Sequence, residues 1–401
     1  MLLLVRLRSH RLHPLDWLSA GLLALGLVFL ATGLLPTHAA GDAMTRVAPL
    51  LAFLGSVIVL AELVSRAEVF DVVATNVARA GGGTYGRLFL LCVVFASFTT
   101  VALNLDTTAV LLTPVMLALA SRVGIAALPL AMTTVWLANT ASLLLPVSNL
   151  TNLLAADRVA LSSLELAGRM WAPQVAAIAV TAACLWGFFW RRGRRGADAY
   201  GVPAPHRPTD PALFRVCGLA CAGFLLAILL ADVPLWIASG AAAAVAVAAF
   251  AVRRRAVLRV SLVPWRLLVL VPGMFLVVET VNAHGLHDLL ASAIGTADDL
   301  GGMLRAAGIG AGLSNVLNNL PVYLAGEAAV PVGNEDQLLA LLIGTNVGPL
   351  VTPWASLATL LWFERCQAGG LRVPLRTFVA TGAVLAVGGV LAAVLALAAV
   401  G

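Results

Sequence analysis

Nine stretches of this chain are apolar over a length that can cross the hydrocarbon core of a membrane. They lie at about 17–35, 47–65, 125–152, 171–190, 213–231, 234–252, 264–281, 337–362 and 376–400. A helix of about 20 residues rises about 30 Å, which is the thickness of that core. Only 11% of the residues are charged and 61% are hydrophobic, which is more apolar surface than a soluble fold can bury. The sequence therefore predicts an all-α polytopic membrane protein with about nine transmembrane helices, and it excludes a soluble enzyme, a disordered chain and a secreted disulfide scaffold.

Two further apolar stretches, 88–121 and 306–330, carry polar residues near their middles. A helix break that faced lipid would leave backbone groups unpaired, at a cost of several kcal/mol for each group. The breaks are therefore expected to face protein or a watery cavity. We predict that both stretches form re-entrant hairpins that return to the side from which they enter.

The distribution of arginine supports this layout. All 25 basic residues are Arg. With the N-terminus in the cytoplasm, all of them except Arg46, Arg158, Arg169 and Arg305 lie inside, as the positive-inside rule requires. We therefore expect a multi-pass protein of a cell membrane, taken to be a bacterial inner membrane, with residues 1–16 in the cytoplasm and 17–35 retained as the first helix. Because Arg clusters at helix ends, the net charge of +6 does not indicate nucleic acid binding.

An internal repeat organises the chain. Three landmarks recur in the same order at slowly changing offsets: Glu62 and Glu279 (217), Asn104 and Asn318 (214), and the runs 139–152 and 346–359 (207). The predicted parts are a first repeat at 17–190, a linker with one connecting transmembrane helix at 191–232, and a second repeat at 233–401. The predicted topology makes the helix of Glu62 run inward and that of Glu279 run outward, so the repeats are inverted. Inverted repeats with paired broken helices are typical of secondary transporters, whose solute site lies near the midplane between them.

Four polar clusters mark the expected solute site, two at the hairpin tips and two in broken helices. Proline breaks a helix and frees carbonyls, half-helix N-termini present free N–H groups, and Asn, Ser and Thr supply neutral donors and acceptors. The predicted solute-binding residues are Asn104, Thr107 and Thr108 in the first hairpin, Asn139, Thr140, Ser142, Ser148, Asn149 and Asn152 in the first broken helix, Ser314, Asn315, Asn318 and Asn319 in the second hairpin, and Asn346, Thr352, Ser356 and Thr359 in the second broken helix. The alternative is that these residues only satisfy kinked backbones or hold helices together.

Three carboxylates are candidates for proton coupling: Asp106, Glu62 and Glu279. Asp106 is the only acid at a hairpin tip, and a charge at that depth costs about 2.5–3.5 kcal/mol and indicates function. Its alternative role is to cap the returning half-helix. Glu62 has Arg66 four residues later, so a surface ion pair is the alternative for it. We find no nucleophile triad and no metal-binding cluster, and therefore predict neither an enzyme nor a metal or other cofactor.

The polar runs resemble the arsenite permease branch of the ion transporter superfamily, which also holds sodium-coupled dicarboxylate carriers and sodium/proton antiporters. The resemblance covers roughly residues 45–400 and is carried by the runs 104–114, 138–142, 148–152, 313–321 and 348–362. It implies efflux of arsenite or antimonite, driven by the proton gradient or by an arsenite-pumping ATPase subunit. The alternative is a sodium- or proton-coupled transporter of small carboxylates or inorganic anions. A homodimer and a monomer both remain open.

Overall fold

The structure, a computed structural model, describes residues 14–191, 193–194, 200–230 and 233–400. The predicted cytoplasmic segment 1–16 therefore lies almost wholly outside the described residues, as does part of the linker. The helices are α1 (Pro14–Ala31), α2 (Thr37–Arg66), α3 (Val69–Gly81), α4 (Tyr85–Leu103), α5 (Leu105–Thr107), α6 (Thr113–Val123), α7 (Ala127–Thr140), α8 (Leu150–Arg158), α9 (Ser163–Leu185), α10 (Pro211–Leu230), α11 (Leu235–Arg253), α12 (Trp265–Val281), α13 (His287–Ile294), α14 (Leu300–Leu317), α15 (Asn319–Ala329), α16 (Glu335–Val347), α17 (Leu357–Ala368) and α18 (Leu375–Val400).

The helices confirm the prediction of a polytopic all-α membrane protein. Within the described ranges, seven helices are long and apolar enough to cross a membrane, and Ser19–Ala31 and Pro211–Ala227 are shorter apolar helices. The seven include both arms of the first hairpin, Tyr85–Leu103 and Leu105–Val123. The two predicted broken helices are not among them, because each is divided into two pieces that are too short to count alone.

In each of the two stretches predicted as hairpins, the beginning and the end lie close together. In the first, α4 begins four residues after α3 ends, and α6 returns to α3, where the Arg122 guanidinium donates to Thr75 Oγ1 at 3.3 Å and lies 3.8 Å from Asp71. In the second, the side chain of Gln337 donates to Gly295 O at 3.1 Å, which places the loop after α15 beside the loop before α14. Each hairpin therefore returns to the side on which it begins.

The segment 200–210, here called the strap, ties the linker to α3. Tyr200 Oη donates to Ala78 O at 3.0 Å, and His206 Nε2 lies 2.8 Å from Glu68 Oε2. Burial acts to raise the pKa of the Glu68 carboxyl, but hydrogen bonds from Thr209 and His206 outweigh it and hold the pKa below its ordinary value. Glu68 therefore stays ionised at neutral pH, and the strap keeps its acceptor.

The strap also reaches α11, where Arg253 Nε donates to Asp210 Oδ2 at 2.7 Å. The helix ends gathered on this side carry Arg66, Arg122 and Arg253, and we call it the Arg-rich side.

Helix pairing follows the internal repeat. Helix α1 packs along α12 and α11 packs along α2, while α9 packs along α18. Under an offset near 217, α1 matches α11 and α2 matches α12, so the first two pairs are the same contact made twice. The α1–α12 contact is very close, because a Cβ at Gly273 would overlap the backbone of Leu23. Each inverted repeat thus packs its first helix against the second helix of the other repeat.

Candidate functional site

The two broken helices cross at the centre of the protein and are joined by amide hydrogen bonds. Asn346 Nδ2 donates to Asn152 Oδ1 at 2.7 Å, and Asn139 Nδ2 lies 3.5 Å from its acceptor Thr359 Oγ1. The repeat offset of 207 converts Asn139 into 346 and Asn152 into 359, so these are equivalent bonds in the two repeats. All four side chains are fully buried. The two pairs therefore meet in the interior, at the crossing of the repeats.

A third bond completes this crossing. Thr151 Oγ1 donates to Asn346 Oδ1 at 2.7 Å, so the amide of Asn346 both donates to and accepts from α8. A buried amide without partners costs about 1–3 kcal/mol, and here the partners come from the opposite repeat. This is the helix-joining role that the sequence offered as the alternative for these residues.

The first break, between α7 and α8, is held open by a side chain from α9. Gln174 Oε1 accepts from Leu143 N at 2.9 Å, and Gln174 Nε2 donates to Ala141 O at 2.8 Å. Asn152 Nδ2 donates to the carbonyls of Ser142 and Leu145 at 2.6 and 2.9 Å. The backbone groups freed by the break are thus paired by side chains, as burial requires.

The second break, between α16 and α17, is held by Asn315 from the second hairpin. Asn315 Oδ1 accepts from the amides of Val351 and Thr352 at 3.0 and 3.1 Å, and Asn315 Nδ2 donates to Gly348 O at 2.9 Å. Thr352 Oγ1 donates to Asn315 O at 2.7 Å. In the first repeat, Ser148 Oγ donates to a carbonyl of the first hairpin, that of Val101, at 3.1 Å, which also links a broken helix to a hairpin.

Replacing Gln174 with Met is expected to destabilise the protein, because the change keeps the volume but strands Leu143 N and Ala141 O without partners. Each stranded buried group costs about 1–3 kcal/mol. The measurement is thermal unfolding of the purified protein in detergent. The control is Gln367→Met, the same change at an exposed residue near the end of α17. Equal melting temperatures for the two variants would contradict this role for Gln174.

The hairpin tips are built alike. Asn104 and Asn318 have φ angles of 110° and 119°, a region that side chains rarely adopt, and Asn tolerates it better than most residues. Asn104 Oδ1 accepts from Thr107 N at 2.9 Å, and Asn318 Oδ1 accepts from Leu320 N at 3.3 Å. Each tip Asn therefore ends one helix, turns the chain and caps the next helix.

The capping role considered for Asp106 is wrong. The returning helix begins at Leu105, directly after Asn104, and Asn104 supplies the cap. Asp106 lies inside the first turn, where its charge interacts favourably with the helix N-terminus but its carboxylate caps no amide. Within the part of the chain that the structure describes, Asp106 has no hydrogen bond or ion pair. Its carboxylate is thus free to bind a proton or a solute.

Four half-helix N-termini meet at one central cavity of about 470 Å³. They begin at Leu105, Leu150, Asn319 and Leu357, which all line the cavity. The caps of three of them, Asn104, Asn149 and Asn318, line it as well. The cap of the fourth, Ser356, is buried behind the wall. The N–H groups at these four N-termini each contribute a partial positive charge to the cavity.

Asp106 lines both this cavity and a second one of about 510 Å³. The second cavity is also bordered by Thr107, Glu62 and Arg365, and the latter two belong to helix ends at the Arg-rich side. Asp106 is half-buried. It therefore lies between the central cavity and the Arg-rich side.

Several predicted solute ligands have polar atoms that lack partners among the described residues. They are buried and comprise Thr107 Oγ1, Asn139 Oδ1, Asn149 Nδ2 and Ser314 Oγ. An unsatisfied buried polar atom calls for an explanation, and a bound solute or water is the usual one. Of the four, Asn149 lines the central cavity and Thr107 the second one.

The remaining predicted residues lie behind these walls. Thr108 Oγ1 donates to Asn104 O at 2.9 Å, Thr140 Oγ1 accepts from Thr181 at 2.9 Å, and Ser142 Oγ donates to Asn139 O at 2.7 Å. They support the tips and breaks rather than line the cavity.

The two glutamates are placed differently from each other. Glu62 lies at the Arg-rich side and pairs with Arg66 at 2.8 Å, while its side chain borders the second cavity with Asp106. Glu279 is exposed and does not line either cavity, although its neighbour Val278 lines the central one. The structure thus brings Glu62 near Asp106 and leaves Glu279 apart.

The role of Gln174, which pairs the backbone groups of the first break, was not predicted from the sequence. Its signal was an uncharged polar residue directly after Pro173 in an otherwise apolar helix. Among the described residues, no three or more His, Cys, Asp or Glu side chains lie together in a way that could hold a metal ion.

Comparisons with known proteins bear on this arrangement. A family profile described as citrate transporter matches residues 12–334. An arsenical pump membrane protein of Yersinia enterocolitica is 32% identical over 357 residues, covering 82% of this chain and 81% of the relative. One from Escherichia coli is 32% identical over 353 residues, with the same coverage.

A solved structure shares the fold. The YdaH transporter of Alcanivorax borkumensis, whose crystal structure is described as having an unusual topology, superposes with a TM-score of 0.59 at 15% identity over 96% of this chain and 97% of that one. Taken with the sequence relatives, these matches confirm the resemblance inferred from the polar runs. The chain is a multi-pass membrane transporter and belongs to the citrate transporter family of the ion transporter superfamily, alongside relatives named arsenical pump membrane proteins.

Proposed function

We propose that this protein exports arsenite and antimonite in exchange for protons, with its Arg-rich side in the cytoplasm of a bacterial cell. The observation that carries the proposal is the position of Asp106, an unpartnered carboxylate between the central cavity and the Arg-rich side. A carboxylate at membrane depth marks proton relays in pumps and transporters. The names of the relatives support the solute, since they are called arsenical pump membrane proteins.

The chemistry of the central cavity suits an uncharged hydroxide. Its polar lining consists of Asn side chains, helix N-termini and the carboxylate of Asp106, and no basic residue among those that the structure describes lines it. The amides of Asn104, Asn149 and Asn318 can both donate to and accept from hydroxyl groups. Arsenous acid carries three such groups and no charge, so its desolvation is cheaper than that of an anion.

We test the proposal with everted membrane vesicles that contain the protein. Arsenite should accumulate when a proton gradient is present and should stop accumulating when a proton ionophore is added, and control vesicles without the protein should show neither. No accumulation by folded protein would reject arsenite export. ATP-dependent accumulation that persists with the ionophore would instead assign the driving force to an arsenite-pumping ATPase subunit.

A second candidate function is sodium- or proton-coupled transport of small carboxylates or inorganic anions. It is favoured by the family description, citrate transporter, and by the four helix N-termini, which can hold a carboxylate without Arg. Sodium-dependent uptake of citrate by right-side-out vesicles, with no arsenite accumulation by everted ones, would select it.

A further inference from the structure

The central cavity has two chemically different walls. The wall described above carries the Asn caps and helix N-termini. A second part of the lining comes mainly from α2, α12 and α13 and is apolar at every described residue that meets the cavity, with Phe53, Leu54, Val271, Met274, Val278 and Leu290 as its main residues. A small trihydroxide that hydrogen-bonds to the polar wall would leave this second wall without a partner.

The central cavity is also larger than arsenous acid requires. Its volume of about 470 Å³ lies within the range of about 300–1,000 Å³ that is typical of sites for drug-sized ligands. Arsenous acid has one arsenic and three oxygen atoms. One water occupies about 30 Å³ of liquid, so a solute of this size fills only a small part of the space. The rest could be filled by a larger ligand with an apolar portion.

We propose that the central cavity binds trivalent organoarsenicals of the form R–As(OH)₂, with R an apolar group such as methyl or phenyl, in addition to arsenite. The inference rests on the proposed function and extends its substrate class. The two hydroxyl groups bond to the caps Asn104, Asn149 and Asn318, and R lies against the apolar wall at Val271, Met274 and Val278.

The apolar wall sets the expected preference. Removing a phenyl group from water is comparable to burying a Phe side chain, which corresponds to about 10- to 100-fold tighter binding. A methyl group gives only about a fourfold gain by the same scale. Phenylarsenite should therefore bind more tightly than methylarsenite, and methylarsenite more tightly than arsenite.

The test is competition for arsenite accumulation in everted vesicles. Because trivalent arsenicals react with thiols, it is carried out with a variant in which all five cysteines are replaced by Ala. Competition is measured rather than accumulation, since phenylarsenite itself can cross lipid. We expect competitive inhibition, with a phenylarsenite inhibition constant about 10- to 100-fold below the arsenite KM.

A matched pair of variants ties the effect to the wall. Val278→Trp fills the apolar part of the cavity and should lower the ratio of the arsenite KM to the phenylarsenite inhibition constant by about tenfold, which removes most of the phenyl gain. The control Val384→Trp makes the same change on the outer face of α18, where Val384 is 54% exposed. It should leave the ratio unchanged.

The outcomes separate this inference from the proposed function. Arsenite accumulation that phenylarsenite inhibits no better than methylarsenite overturns only the inference, as does inhibition that is non-competitive or insensitive to Val278→Trp. Absence of arsenite accumulation in the cysteine-containing protein overturns the proposed function and the inference together. If only the cysteine-free variant is inactive, competition is measured with the cysteine-containing protein, where the Val278→Trp ratio still decides.

Discussion

Replacing Asp106 with Asn is expected to reduce ionophore-sensitive arsenite accumulation to the level of control vesicles. Asparagine has nearly the same shape but cannot bind and release a proton. The tip should keep its structure, because Asn104 and not Asp106 caps the returning helix. The measurement is the initial rate of accumulation in everted vesicles over a range of pH, together with thermal unfolding to show that the variant is folded.

A matched control is Asp288→Asn, which removes the same charge from an exposed position on α13. It should transport like the parent at every pH. If Asp106→Asn also transports normally, with the pH dependence of the parent, Asp106 is not the coupling residue. A loss of transport in both variants would show a general effect of charge and would not support the assignment.

Replacing Gly344 with Ala is expected to lower the stability of the protein strongly. Helices α14 and α16 are in direct contact at this residue, and a Cβ at 344 would overlap the carbonyl oxygen of Ala307. The overlap is with backbone, so no side-chain rotation relieves it and the helices must separate. Overpacking of this kind costs about 1–3 kcal/mol or more. Thermal unfolding in detergent measures the effect.

Gly312→Ala provides the comparison, because Gly312 lies on α14, the helix that Gly344 contacts, and a Cβ at 312 would meet no atom within 4 Å. It should leave the melting temperature unchanged or raise it slightly, since Ala favours helix over Gly. Equal destabilisation by both substitutions would show that helix propensity, and not the contact between α14 and α16, determines the outcome. Because α16 carries Asn346, Gly344→Ala should also disturb the crossing of the broken helices.

Much of this fold could be predicted from the sequence because lipid makes the hydrophobic pattern strict. A spanning helix must be apolar along its length, so both limits of α18 follow closely from its apolar run, whereas α2 and α9 begin ten and eight residues before theirs. The repeat offset of 207 located both broken helices before any contact was known. The tip asparagines, Asn104 and Asn318, were evident because a polar residue in the middle of an apolar stretch requires a partner.

The sequence does not show which polar residues line the cavity and which join helices. In the sequence, Asn152, Asn346, Asn149 and Asn318 look alike, because each is an asparagine in a polar run inside an apolar stretch. In the structure, Asn152 and Asn346 pair with each other, whereas Asn149 and Asn318 line the cavity. Which direction a side chain takes depends on the angle at which the broken helices cross, and that angle is set by packing. Glu279 also could not be placed from the sequence. It matches Glu62 in the repeat, but Glu279 is exposed whereas Glu62 lines the second cavity.

The crossing of the broken helices has the geometry of a symmetric dimer interface. Asn139 contacts 359 as Asn346 contacts 152, so one patch is used twice, face to face, as in an isologous association. Each half of the chain therefore supplies some of the hydrogen bonds of the buried amides in the other half. In this respect the two repeats resemble the two subunits of a dimer joined in one chain. The linker between them keeps the effective concentration of each repeat near the other high.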